Sequence, residues 1–269
     1  MDIGPGSTLG AYKIVEQLGR GGMSTVYKAY HTPLDRYVAI KVVSPSISQD
    51  PGFRERFAQE ARTVAHLRHP NILTMYDYGE EGGQAYLITE LIEGGTLAER
   101  VGAPWPPSQA VELVRSVAFA LDYAHDQGVL HRDVKPSNIL LRPVGSPVLA
   151  DFGIAKLTGA TSGLTGTGSI LGTPTYQAPE QANGDPITGA TDQYALGVVA
   201  YEMLTGRAPF NERTPVATLM AHLVKPLPSP RALNPALSEQ IEAVLGKALA
   251  KQPEQRYRRV SAFAAALAE

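Results

Sequence analysis

The chain has 269 residues, 43% of them hydrophobic, a formal net charge of −2 and no cysteine. That length suffices for a large core and lies near the size at which one core divides into lobes. The charge balance disfavours a nucleic-acid backbone as main partner, and the lack of cysteine excludes disulfides, thiolate metal sites and a cysteine nucleophile.

The six histidines show no metal-ligand spacing. The first residues, MDIGPGST, carry neither the basic nor the apolar region of a signal peptide. The most apolar run, 194–204, is interrupted by Glu202 and reads as a buried helix, so no membrane span is expected in this chain.

Segments 11–18, 23–30 and 37–43 are short, β-branched or aromatic, and separated by turns with Gly or Pro; they predict strands. Asp50-Pro51 then reads as an N-cap followed by proline at the first helical position. Phe53, Phe57, Ala61, Val64 and Leu67 recur at helical spacing behind it. Two further strands are expected at 72–78 and 85–91. Beyond the glycine pair at 94–95 helices dominate: 109–127 with Val111, Val114, Ala118, Leu121 and Ala124 on one face, an almost wholly apolar 191–205, and amphipathic 237–250 and 260–268. Residues 158–172 are rich in Gly, Ser and Thr and read as a mobile loop. A mostly β half followed by a mostly α half predicts an α+β chain in two lobes, 10–92 and 93–269.

Four segments carry residues suited to chemistry. Gly19, Gly21 and Gly22, with Ser24 and Val26 after them, lie between two strands, where a glycine-rich backbone can approach phosphate oxygens. A plain glycine-rich hairpin would read the same way, and a dinucleotide fold is excluded because a strand follows the loop. Lys41 ends the apolar strand Val38-Ala39-Ile40, and Glu60 shares the apolar helix face of Phe53, Phe57 and Val64. A carboxylate facing a core needs a partner, and Lys41 is the candidate.

Residues His131-Arg132-Asp133-Val134-Lys135-Pro136-Ser137-Asn138 place an acid, two cations and an amide between two apolar pieces. Asp133 could accept a hydroxyl proton, Lys135 could neutralise a moving phosphoryl group, and Asn138 could bind a metal through its carbonyl oxygen. Asp151-Phe152-Gly153 follows an apolar strand, a place for a hard-cation ligand.

Together with Ala178-Pro179-Glu180, these elements resemble, in order and spacing, the signature set of the eukaryotic-like serine/threonine protein kinases, especially their bacterial members. The resemblance covers about residues 10–268. It implies the α+β bilobal protein kinase fold: a small antiparallel β-sheet lobe with one key helix that binds ATP, and a larger, mainly α-helical lobe for catalysis and protein substrates.

By the same resemblance Lys41 contacts the ATP phosphates and pairs with Glu60. Asp133 is the catalytic base, Lys135 sits against the γ-phosphate, and Asn138 and Asp151 hold Mg²⁺, with Mn²⁺ as the alternative. Leu18, Val26, Ala39 and Leu140 enclose the adenine, Thr89 is the gatekeeper, and Glu90 and Ile92 offer backbone groups to the adenine edge. Val64, Met75, His131 and Phe152 form a hydrophobic spine. Leu171-Gly172-Thr173 receives the substrate residue, and Thr173 bonds the catalytic loop. Glu180 and Arg256 form a buried ion pair, while Asp192 holds the backbone around Arg132 or, alternatively, caps its own helix. Ser24 replaces the third loop glycine and Val134 the usual leucine, neither of which removes a catalytic group.

The resemblance further implies activation by autophosphorylation, with Thr165 and Thr167 as the main sites and Arg132 as the phosphate-binding residue. Ser/Thr-containing proteins are the expected substrates, a homodimer through the small lobe is an expected partner, and the cytoplasm is the expected compartment, with a longer membrane-anchored receptor kinase as the parent. The alternative is a pseudokinase scaffold, which the intact set Lys41, Asp133, Asn138 and Asp151 disfavours. A small-molecule phosphotransferase would lack the Ala178-Pro179-Glu180 segment.

Overall fold

In the computed structural model, which describes residues 3–22, 24–48, 52–152 and 174–269, the chain forms two compact units. One is Met1–Arg68 with Ile72–Glu93, and the other is His69–Asn71 with Gly94–Glu269.

The first unit is built on strand periodicity. Strands β1 (Thr8–Leu9), β2 (Tyr12–Arg20), β3 (Ser24–His31), β4 (Arg36–Val43), β5 (Met75–Glu81) and β6 (Gln84–Thr89) form a sheet in the order β1-β2-β3-β4-β6-β5, every pairing antiparallel. Side chains alternate between faces. Val38, Ile40 and Val42 of β4 therefore join Tyr27, Ala29, Ile14 and Ile88 in one buried cluster. Ala39 and Lys41 point to the other face. Helix α1 (Pro45–Ser48) is a single turn, and α2 (Phe53–Ala65) buries Phe53, Phe57, Ala61 and Val64.

Two boundaries differ from expectation. Helix α2 begins at Phe53 with Gly52 as its N-cap in the left-handed region (φ 79°), so the helix starts later than a proline at position 51 would require; Asp50 and Pro51 themselves lie outside the described residues. The strand expected at 72–78 is Met75–Glu81. Its position is fixed by pairing with β6, from Met75↔Thr89 to Glu81↔Gln84, around a turn whose Gly82 and Gly83 take φ of 58° and 78°. Ile72 is buried without being part of the strand.

In the second unit the helices are α3 (Pro107–Asp126), α4 (Pro179–Asn183), α5 (Gly189–Thr205), α6 (Pro215–Val224), α7 (Pro230–Leu233), α8 (Glu239–Ala248) and α9 (Val260–Ala268). Helix α5 is buried on nearly every side and is bounded by the Thr188 hydroxyl at its start and Gly206 (φ 80°) at its end. Helix α9 has no cap of its own. Asp122, from α3, accepts the N–H groups of Val260 and Ser261, each at 3.0 Å, and so pins α9 to α3.

In the short hairpin, β8 (Pro147–Leu149) is the apolar strand expected before Asp151, while its partner β7 (Ile139–Leu141) has no counterpart among the expected strands. Asn71 ties to β8 through Pro147 O at 2.7 Å and the Leu149 N–H at 2.8 Å, which is why residues 69–71 group with this unit. A side chain at Gly94 would meet the Leu141 carbonyl at 2.1 Å, so glycine is required there.

Candidate active site

The first unit collects the residues expected around a nucleotide. Gly19 is paired with Val26, and Val26 with Lys41. Ala39 is paired with Thr89, and Lys41 with Leu87. Directly paired residues share a face, so Val26, Ala39, Lys41 and Thr89 stand together on the face opposite the buried β4 cluster. The Gly21 N–H donates to Ser24 O at 2.8 Å, closing the glycine loop into a tight turn. Leu18 lies at a register shift between Gln17 and Gly19 and is exposed. Glu60 sits on the buried face of α2, half-buried. Glu90 and Ile92 follow β6 and are half-buried; the Glu90 N–H donates to Thr74 O at 2.9 Å.

In the second unit the segment 131–138 is a network of hydrogen bonds. Lys135 Nζ donates to Asp133 Oδ2 at 2.7 Å. Asn138 Nδ2 donates to the same Oδ2 at 3.1 Å and to the Asp133 carbonyl at 2.8 Å. Both contacts fall on one oxygen of Asp133, whose side chain is 38% exposed. His131 is fully buried; its Nδ1 accepts the Asp133 N–H at 3.2 Å, and its Nε2 meets Ala150 O at 2.8 Å. These partners assign the tautomer with the proton on Nε2.

The Ala150 N–H donates to Asn138 O at 2.8 Å, which places Asp151 one residue beyond a direct link to Asn138. Asp151 takes φ 66° and Arg132 φ 71°, each costing about 1–2 kcal/mol for a residue with a side chain. Both strained positions lie where the chemistry is expected. Phe152 is buried and its ring packs on His131 with centroids 4.6 Å apart. Leu140 pairs with Val148 in the hairpin. Val64 and Met75, the other expected spine residues, are buried in the first unit.

The oxygens of Asn138 and Asp151 suit a hard divalent cation. The Asn138 amide nitrogen is committed to Asp133, which turns its carbonyl oxygen elsewhere. Among the described residues no group of three or more His, Asp or Glu could hold a metal alone. A two-ligand site completed by phosphate oxygens and water fits that donor set.

Deeper supports fix this segment. Asp192 accepts the N–H of His131 at 2.9 Å and of Arg132 at 2.7 Å. Thr188 caps its helix, so the capping alternative for Asp192 does not apply. Burial alone would raise the Asp192 carboxyl, but His125, whose Nε2 is 2.7 Å away, and His131 hold it below the ordinary range. Arg256 meets Glu180 through two parallel bonds of 2.8 Å in a fully buried pair. The guanidinium holds the Glu180 carboxyl down against a burial effect that would raise it.

Two further supports lie outside the sequence motifs. His125 reaches Asp192 from α3, 67 residues away in the chain. Gln181 donates to Arg132 O at 2.9 Å and accepts the Ala178 N–H at 3.0 Å; its place directly after Glu180 was the one available clue. Gly153, Thr165, Thr167, Leu171, Gly172 and Thr173 lie outside the described residues.

The protein kinase domain family matches residues 12–266. The serine/threonine-protein kinase Pkn1 of Myxococcus xanthus is 42% identical over 266 residues, covering 97% of this chain and 38% of that protein. PknF of Mycobacterium tuberculosis is 42% identical, covering 99% of this chain and 58% of that protein. The chain thus spans less than two thirds of the length of these curated relatives. The crystal structure of the Mycobacterium tuberculosis PknI kinase domain superimposes with a TM-score of 0.80 at 34% identity, covering 99% of each chain. Among the described residues no helix is long and apolar enough to cross a membrane.

Proposed function

The chain belongs to the protein kinase domain family, with its bilobal fold, and we propose that it transfers the γ-phosphoryl group of ATP to serine and threonine hydroxyls of proteins. The observation that carries this reading is the Asp133 carboxylate. Its Oδ2 is held by Lys135 and Asn138, so among the described residues Oδ1 remains to accept the proton of an incoming hydroxyl. Lys135, two residues on, brings a positive charge to the place where phosphoryl charge spreads. Lysine there accords with serine and threonine as acceptors.

Lys41, paired with Glu60, grips the ATP phosphates, and the turn of Gly19, Gly21, Gly22 and Ser24 covers them. Leu18, Val26, Ala39 and Leu140 enclose the adenine beside Thr89, and the backbone at Glu90 and Ile92 reads its edge. Family membership implies ATP and a divalent cation. Asn138 and Asp151 would hold Mg²⁺ in preference to Mn²⁺, and the cation supplies charge neutralisation at the phosphates. Thr165 and Thr167 are the proposed autophosphorylation sites, read by Arg132, and Thr173 receives the substrate. We place the domain in the cytoplasm, as part of a longer membrane-anchored kinase, with pairing through the small lobe.

The test is incubation of the purified chain with γ-labelled ATP and Mg²⁺, with and without myelin basic protein, beside Asp133→Asn. Label as phosphoserine or phosphothreonine in the wild type and none in the variant is expected. Near-normal transfer by the variant would overturn the assignment of Asp133, and phosphopeptides lacking Thr165 and Thr167 would overturn the proposed sites.

A further inference from the structure

Gln181 is buried in the first turn of α4 and makes two bonds of different kinds. Its Oε1 accepts the Ala178 N–H at 3.0 Å, and its Nε2 donates to the Arg132 carbonyl at 2.9 Å. The first bond is the return arm of a capping box, which Glu and Gln supply equally well because it calls only for an acceptor. The second calls for a donor, and of those two residues only the neutral amide has one. Capping the helix therefore does not account for the bond to Arg132.

The Arg132 carbonyl belongs to the peptide group that leads into Asp133. At the other end of that group the Asp133 N–H donates to His131 Nδ1 at 3.2 Å. Arg132 itself lies in the left-handed region at φ 71°, with its own N–H on Asp192. A strained residue keeps such a conformation only where its surroundings over-determine it. A planar peptide group held at one end can still swing about the line between its two Cα atoms, and a hold at both ends stops that motion. The direction of the Asp133 side chain follows from this plane.

Helix α4 is a firm base for such a hold. Glu180, next to Gln181, is tied to Arg256 by two bonds of 2.8 Å and accepts the Thr191 hydroxyl at 2.8 Å. A group carried on a rigid element aims its neighbour more closely than one on a free loop.

We propose that Gln181 is a positioning residue for phosphoryl transfer: its Nε2–H fixes the Arg132–Asp133 peptide group, and with it the direction of the Asp133 carboxylate. This rests on the kinase reading and adds to it a requirement that position 181 donate as well as accept. ATP binding draws on other residues and is independent of it.

Two substitutions separate the bond from the cap. Gln181→Glu keeps the length of the side chain and the acceptor for Ala178 but turns an oxygen toward the Arg132 carbonyl. Gln181→Met keeps the length and loses both bonds. Rates with myelin basic protein are taken per molecule that binds a non-hydrolysable ATP analogue. We expect kcat to fall about tenfold in both variants, the worth of one hydrogen bond, with KM for ATP unchanged. A wild-type kcat in Gln181→Glu, with loss confined to Gln181→Met, leaves only the cap and overturns the proposal. So does a loss of kcat matched by an equal rise in KM for ATP.

Hydrogen exchange read by ¹H–¹⁵N correlation needs no turnover. In Gln181→Glu the Asp133 N–H should exchange about tenfold faster than in the wild type, while the Ala178 N–H, still capped, keeps its wild-type rate. An unchanged Asp133 rate overturns the inference even where transfer is slowed. If the wild type transfers no phosphoryl group, the kinase reading fails, and the exchange rates still decide whether Gln181 holds the peptide group.

Discussion

Asp192 Oδ1 accepts the backbone N–H of Arg132 at 2.7 Å, and Arg132 is held at φ 71°. A buried carboxylate on α5 thus stabilises a strained residue one position before Asp133. Asp192→Ala would orphan two buried N–H groups and remove the partner of His125. The expected loss is about 3 kcal/mol or more of unfolding free energy, read by urea denaturation, together with a fall in transfer rate. Unchanged stability would show that the two N–H groups find other acceptors.

Arg256 is buried against Glu180 and also donates to the carbonyls of Ala190, Ala250 and Lys251. A lysine cannot reproduce that planar fork. Arg256→Lys should cost about 2 kcal/mol, and Glu180→Ala about 4 kcal/mol, since it leaves a buried guanidinium unpaired. Thermal melts of both variants check the order.

Acid should destabilise the protein in two stages. Burial and the neighbouring Lys251 push the His222 pKa down to about 4 from an ordinary 6.5. Between those values the unfolded chain binds the proton and the folded chain does not, so stability falls as pH drops through that window. The full loss is about 3 kcal/mol. Glu180 and Asp192 are shifted the other way relative to their charge, held ionised below 4.5 and 3.8 respectively. Their contribution is intact above those values and is lost only at lower pH. Denaturation midpoints from pH 7 to 4 should therefore decline in the wild type and decline less in His222→Gln, where His69, also held below its ordinary range by burial, still contributes.

Removal of divalent cations with EDTA should abolish transfer, and Mg²⁺ should restore it. Asn138→Ala should raise the Mg²⁺ concentration needed for half-maximal transfer on the order of tenfold. It should also destabilise the segment, because the Asn138 amide holds both the Asp133 carbonyl and its carboxylate. A metal titration identical to wild type would remove Asn138 from the site.

Local chemistry made much of the molecule legible in the sequence. The alternation in Arg36–Val43, the 3.6-residue spacing of Phe53, Phe57, Ala61 and Val64, and the apolar run of Gly189–Thr205 each encode one element without reference to the rest. The order of short motifs from Gly19 to Glu180 did the same for the family. Tertiary structure alone decided what depends on distant partners. Residues 72–74 lie outside β5 because pairing with β6 sets the strand, and β7 is too short to announce itself. His125 and Gln181 act through residues far away in the chain, and no local pattern distinguishes a core histidine from one that holds a carboxylate. Propensity and periodicity are properties of neighbours along the chain, whereas a buried hydrogen bond exists only once folding has brought its two ends together.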